Sequence, residues 1–156
     1  MDPIVYSMHF RGQASTRADD PKSFKLTASA ASCTFTTMIG AAGVEGRFSV
    51  VDDGDMAFSE SEFHITGPDS FSGKESISFG DLHVLELVPS QPGQFSRSGP
   101  GGIMTGSITW RVEGGEGQFT GASGYVTSMF TLDHDGQINE YQVGMIHTAA
   151  TQSAGA

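Results

Sequence analysis

The stretch Gly114-Gly115-Glu116-Gly117-Gln118-Phe119-Thr120-Gly121-Ala122-Ser123-Gly124-Tyr125-Val126, GGEGQFTGASGYV, holds five glycines in eleven residues and then runs into an alternating, strand-like sequence. Glycine weakens a strand, because it loses more backbone entropy than other residues and brings no side chain to pack. Its density here therefore marks places where the backbone must turn, bend or approach another backbone more closely than a side chain permits. Gly114, Gly115 and Gly117 read as a tight turn, and Gly121 and Gly124 as bends within a strand. Gly144 repeats the feature in the last alternating run.

Working outward, no window sustains the i, i+3, i+4, i+7 apolar spacing of a helix, whereas period-two alternation runs throughout. Ile4, Tyr6, Met8 and Phe10 alternate with Val5, Ser7, His9 and Arg11. Further runs follow: SFKLTAS, SCTFTTMI, GRFSVVD, MAFSESEFHITG, ESISFG, LHVLELV, MTGSITWRVEG, GYVTSMFTLD and INEYQVGMIH. They are rich in Val, Ile, Thr, Phe and Tyr, and Gly, Asp, Asn and Pro bound them. DDGD (52–55), GPDS (67–70) and DHDG (133–136) read as hairpin turns. Eight to ten such strands make a sandwich or a closed barrel. The in-strand glycines favour the barrel, and the cysteine pair flanking a tryptophan of immunoglobulin-type sandwiches is missing. Residues 89–104, with three prolines and four glycines, read as a long irregular loop at one rim, able to cover the mouth.

The bulk numbers narrow the class. At 156 residues the chain fits one domain, expected over 1–147, with a small, polar, disordered tail over 148–156. A net charge of -10, from 18 acids against 8 scattered bases, argues against nucleic acid or an anionic membrane as partner. No basic segment followed by an apolar run opens the sequence, and no stretch approaches the ~18 apolar residues of a membrane helix, so a cytoplasmic location is expected. One cysteine, Cys33, excludes an internal disulfide and a multi-cysteine metal site. The five histidines show no i, i+2 or i, i+4 pair, and no metal or other cofactor is expected. GEG and GPGG lack the helix start, lysine and Ser/Thr of a phosphate loop.

Residues 114–147 resemble the C-terminal half of the allene oxide cyclase and dirigent barrels. The resemblance rests on Gly114, Gly115, Gly117, Phe119, Ala122, Gly124, Tyr125 and His147. It extends to bacterial proteins of unknown function that share this barrel, and SFGDLHVLELVPS and GSITWRVEGGEG fit that group as well. The resemblance implies an all-β fold, a single eight-stranded antiparallel closed barrel of calycin-like type, with an apolar cavity and a trimer formed through the outer wall. It also implies cofactor-free chemistry, or guidance of a reactive intermediate toward one cyclised stereoisomer. Ser123 stands where plant dirigent proteins carry an arginine, so proton transfer assisted by that arginine does not carry over.

Candidate residues follow from strand faces. Ile108, Trp110 and Val112 share one face, opposite Thr109, Arg111 and Glu113. Leu82, Val84, Glu86 and Val88 share a face opposite His83, Leu85 and Leu87. If Glu86 faces the cavity, desolvation raises its pKa and suits it to acid–base work. Otherwise it is an exposed glutamate on the outer wall, or pairs with Arg111 across strands. Tyr125 shares a face with Gly121, Ser123, Thr127 and Met129, where small residues leave room for a hydroxyl that holds a carbonyl or oxyanion. Glu86, Tyr125 and Arg111 are thus the catalytic candidates, and Tyr6, Trp110, Phe119, Met129 and Tyr141 the ligand-binding ones, with core packing the alternative for the tyrosines and Met129. The function expected is a cofactor-independent cyclase or isomerase that folds a polyketide- or lipid-like intermediate in an apolar cavity. The alternative is a carrier of small apolar ligands without turnover. A homo-oligomer, dimer or trimer, is the expected assembly.

Overall fold

Paired strands that alternate inward and outward must either leave two raw edges or close on themselves, and here they close. The computed structural model describes residues 3–97 and 100–149. The strands are β1 (Ile4–Arg17), β2 (Asp20–Ala31), β3 (Cys33–Gly40), β4 (Gly43–Val50), β5 (Met56–Ile65), β6 (Ser70–Phe79), β7 (His83–Pro89), β8 (Gly93–Ser96), β9 (Met104–Glu116), β10 (Ser123–Leu132) and β11 (Gln137–His147). Antiparallel pairing runs β1–β2–β5–β6–β7–β9–β10–β11 and returns to β1, from Ile4 opposite Ile146 to Gln13 opposite Gln137. The result is a closed eight-stranded antiparallel barrel, the fold class the alternation implies. Among the described residues, no helix is long and apolar enough to cross a membrane.

One stave of the barrel is broken. β7 pairs with the C-terminal half of β6, while β8 pairs with the beginning of β6 at Ser70 and Phe71. Both also pair with β9, β8 from Gln94 opposite Ser107 to Ser96 opposite Thr105. The segment expected to be an irregular loop over 89–104 therefore contains a barrel strand. Gly93 permits it, since a Cβ there would collide with the Phe71 ring that fills the space beneath. The DDGD turn also differs from expectation: β3 and β4 form a separate two-stranded hairpin outside the ring, and residues 52–55 return the chain from it to β5.

The inward positions make the core. Phe10, Leu85, Leu87, Trp110, Val126 and Ile146 are almost wholly buried. At one end, the turn Gly117–Phe119 inserts Phe119 against Phe79, ring centroids 5.5 Å apart. The tail expected from residue 148 lies, after Ala149, outside the described residues; Thr148 itself is buried.

Gly115 fixes how β9 meets β7. Its φ is 153°, and a Cβ would collide with the Val84 carbonyl oxygen. Gly115→Ala is expected to cost about 2–3 kcal/mol in urea-induced unfolding, through backbone displacement at the closing ladder. Gly40→Ala, where an added Cβ would meet nothing within 4 Å, is the matched control and should change stability by no more than ~0.5 kcal/mol.

Candidate functional site

The middle of the barrel interior is polar. On β11, Ile138, Glu140, Gln142, Gly144 and Ile146 point inward, and on β6, Phe71, Glu75 and Ile77 do so. Glu75, Glu140, Gln142, Ser59 and Ser128 are all buried. Gln142 Nε2 donates to both carboxyl oxygens of Glu75, at 3.0 and 3.1 Å, bridging strands on different parts of the ring. Ser59 Oγ donates to Glu75 Oε1 at 2.5 Å. The Tyr6 hydroxyl donates to Gln142 Oε1 at 3.3 Å, and Trp110 Nε1 donates to Ser128 Oγ at 3.0 Å. Ser128 and Gln142 also stand beside the Glu140 carboxyl, where their polar hydrogens favour its charged form. Gly144 leaves the space for the Tyr6 ring, whose Cε1 would lie 2.6 Å from an added Cβ. Among the described residues no buried side-chain nitrogen or oxygen is left without a partner, as buried polar groups require.

This environment disfavours charge. Burial pushes the Glu75 carboxyl well above the usual range, and the neighbouring Glu140 adds to the shift, outweighing the donors Ser59 and Gln142. Burial also raises Glu140, against the opposing hydrogen bonds from Ser128 and Gln142. Tyr6 is raised by burial and then by the two carboxyls. Two like carboxyls in one dry compartment cannot both ionise at low cost, so the pair keeps a proton that ordinary glutamates have lost.

Beside the polar band, toward the end opposite Phe119, lies an apolar cavity. Phe24, Phe63, Phe71, Phe95 and Phe130 line it with Leu26 and Ile108, and Ile65, Met104 and Leu132 stand at the strand ends. Glu140 is the one ionisable group in the lining. The cavity offers about 50 Å³ to the centre of a water-sized sphere, and about 570 Å³ of empty space when its open mouth is included. It therefore accepts a few waters, or the head of an apolar molecule that extends into the mouth. The loop before β9 is tied to this rim by the contact of His134 Nε2 with the Gly101 carbonyl, 2.6 Å.

The structure divides the residues singled out from the sequence. Trp110 and Tyr6 point inward and belong to the polar set. Phe119 is buried, but closes the far end. Glu86 lies on the outer wall, accepting from Ser76 Oγ at 3.0 Å, because Leu85 and Leu87 take the inward positions on either side. The condition for its acid–base role, an inward side chain, is not met. Arg111 is outside as well and pairs with Glu113 at 3.1 Å, not with Glu86. Tyr125, Met129 and Tyr141 are likewise outward and exposed. Sequence reasoning missed Glu75, Glu140 and Gln142, although the parity of Phe71, Glu75, Ile77 and Phe79 on β6 carries a signal for the first.

The raised carboxyls set a pH dependence. Between the ordinary glutamate value of 4.5 and their raised folded values, the native state binds more protons than the unfolded chain. Stability contributed by these protons is present at mildly acid pH and falls as pH rises, by up to about 1.4 kcal/mol per pH unit for each proton retained. Denaturation midpoints measured from about pH 5 to pH 8 should show this decline in the wild type, and Glu75→Gln should flatten it. An unchanged slope in the variant would contradict the assignment.

No protein-family model matches the chain, and no curated protein matches it. Among solved structures, a pterocarpan synthase dirigent protein matches 95% of this chain and 93% of its own, at 14% sequence identity and a TM-score of 0.30.

Proposed function

We propose that the barrel admits an apolar small molecule through its phenylalanine-lined end and moves a proton on it with the buried carboxyl pair, as a cofactor-independent isomerase or cyclase. The observation that carries this reading is Glu140: it lines the cavity and stands beside Gln142, which holds Glu75. Glu140 as carboxylate takes a proton from a carbon next to a carbonyl, and as carboxylic acid returns it to the enolate at a different atom. The proton count balances, and no redox partner enters. One group thus serves as base and acid in turn, and the enclosed Glu75 beside it tunes its ionisation through mutual repulsion in a dry site. The aromatic walls fix the conformation of a flexible chain, so a polyketide- or lipid-like intermediate would cyclise in one sense.

A specific observation favours a second reading, a carrier without turnover. The lining is apolar apart from Glu140, and the polar set is already satisfied internally.

Two measurements separate the readings. Binding of the neutral fluorophore N-phenyl-1-naphthylamine should be lost in Met104→Trp, which fills the mouth, and kept in Glu140→Gln. Unaltered binding in Met104→Trp would overturn the cavity as the site. Deuterium exchange next to the carbonyl of 2-tetralone, an apolar bicyclic ketone, should be accelerated by the wild type. Glu140→Gln should reduce the acceleration by about 10²-fold or more, while Glu86→Gln leaves it unchanged. Exchange no faster than in buffer would leave the carrier.

A further inference from the structure

Two chains of donors enter the polar band, and each ends at a carboxyl. In the first, the Tyr6 hydroxyl donates to Gln142 Oε1 at 3.3 Å, and Gln142 Nε2 donates to both oxygens of Glu75 at 3.0 and 3.1 Å. In the second, Trp110 Nε1 donates to Ser128 Oγ at 3.0 Å, and Ser128 stands beside the Glu140 carboxyl. Strand register builds this second chain. Ser128 on β10 lies opposite Gln142 on β11, which places it one diagonal step from Glu140. Trp110 on β9 lies opposite Val126, which places it one diagonal step from Ser128 on the other side. Diagonal neighbours on one sheet face are within reach of long and aromatic side chains. Trp110, Ser128 and Glu140 are all buried.

Chemistry fixes the direction of the second chain. An indole nitrogen donates and does not accept, so Ser128 Oγ is the acceptor. A hydroxyl has two acceptor lone pairs and one hydrogen. With a lone pair held by the indole, that hydrogen is left to donate elsewhere. Gln142 Nε2 already serves both oxygens of Glu75, so Ser128 is the neighbouring donor that Glu140 does not share with the other carboxyl. The ionisable groups that act across this compartment on Glu140 are Glu75 from β6 and Tyr6 from β1. Its register partners on the two adjoining strands, Phe10 and Phe130, carry no charge. Among the described residues that line the cavity Glu140 is present, and Trp110 and Ser128 are not. A guest therefore meets only the end of the chain.

We propose that Trp110 is a positioning residue for Glu140: its indole N–H holds the Ser128 hydroxyl with the hydrogen turned to the Glu140 carboxylate, the form that accepts a proton from the guest. This rests on the reading of Glu140 as the base. A buried indole needs one acceptor for its N–H, and a backbone carbonyl would meet that need. A hydroxyl differs in passing the donation on. Donating to a carboxylate also makes the hydroxyl a stronger acceptor, so the Trp110–Ser128 bond tightens when Glu140 ionises and loosens when it is protonated.

The chain has one tryptophan, so its indole N–H gives a single nuclear magnetic resonance signal. Followed from about pH 4 to pH 9, that signal should move upfield in one step as Glu140 takes up its proton, with the midpoint of the Glu140 carboxyl carbon signal. The step should vanish in Glu140→Gln and persist in Glu75→Gln. Ser128→Ala should raise the Glu140 midpoint by about one pH unit, the scale of one hydrogen bond to a carboxylate. Trp110→Phe, which keeps a ring without the N–H, should raise it by less, and should add nothing when combined with Ser128→Ala; separate packing effects would add. The wild-type titration needs no change in the chain of donors, so it decides even where Trp110→Phe fails to fold. No step in the wild type, a step that survives Glu140→Gln, a Glu140 midpoint unmoved by Ser128→Ala, or additive shifts would each overturn the proposal. None of these readouts uses a substrate. A step without accelerated exchange of 2-tetralone would sink the proton-transfer reading and leave the positioning of Glu140 standing, and exchange without a step would do the reverse.

Discussion

Gln142 has no exposure to solvent and holds three strands at once. It stands on β11, donates to Glu75 on β6 and accepts from Tyr6 on β1. A buried amide unpaired in an apolar interior costs several kcal/mol, whereas a paired one costs little. The register of β6 and β11 on the ring is therefore constrained by the need to bring Glu75 to Gln142, 67 residues away along the chain. A slip of one residue on either strand would turn the carboxyl or the amide outward and leave its partner unpaired inside. Packing of Phe10, Trp110 and Ile146 reinforces the same register from the apolar side.

The polar band also gives the barrel a direction. Beyond it on one side, Phe79 and Phe119 pack the interior shut. On the other side five phenylalanines leave a cavity whose one ionisable lining group is Glu140. Acid–base chemistry needs a group that is dry enough to hold an unusual protonation state yet within reach of a guest. Glu75 is fully enclosed; Glu140 is at the boundary. The second carboxyl tunes the first, and the hydrogen bonds from Gln142 and Ser59 keep Glu75 in place.

The same inversion that makes the interior polar makes part of the exterior apolar. β11 spends two inward positions on Glu140 and Gln142 and carries Tyr141, Val143 and Met145 outward. Burial of polar groups inside and display of apolar groups outside are two consequences of one parity.

The sequence by itself determined an all-β fold of paired strands and favoured the barrel. Period-two alternation and the absence of helical spacing are local properties of the chain that required paired strands, and the in-strand glycines favoured a barrel over a sandwich; only the structure shows why, since an added Cβ at Gly115, Gly117 or Gly124 would strike Val84, Leu82 or Met145 backbone. On β1 and β9 the face carrying Phe10, Trp110 and Val112 is the more apolar of the two, and it is the one the structure turns inward. The sequence did not determine the site. On β7 the two faces are nearly balanced in hydrophobicity, which leaves Glu86 undecided, and on β11 the face of Tyr141, Val143 and Met145 is the more apolar, so alternation alone favours putting Tyr141 inside. Only closure of the ring sets those parities, because each strand's face is then dictated by hydrogen-bonded registers to both neighbours, whatever its own side chains prefer. That is why Glu86, Tyr125 and Arg111 are outside, and why Glu75, Glu140 and Gln142, from strands far apart in sequence, meet within.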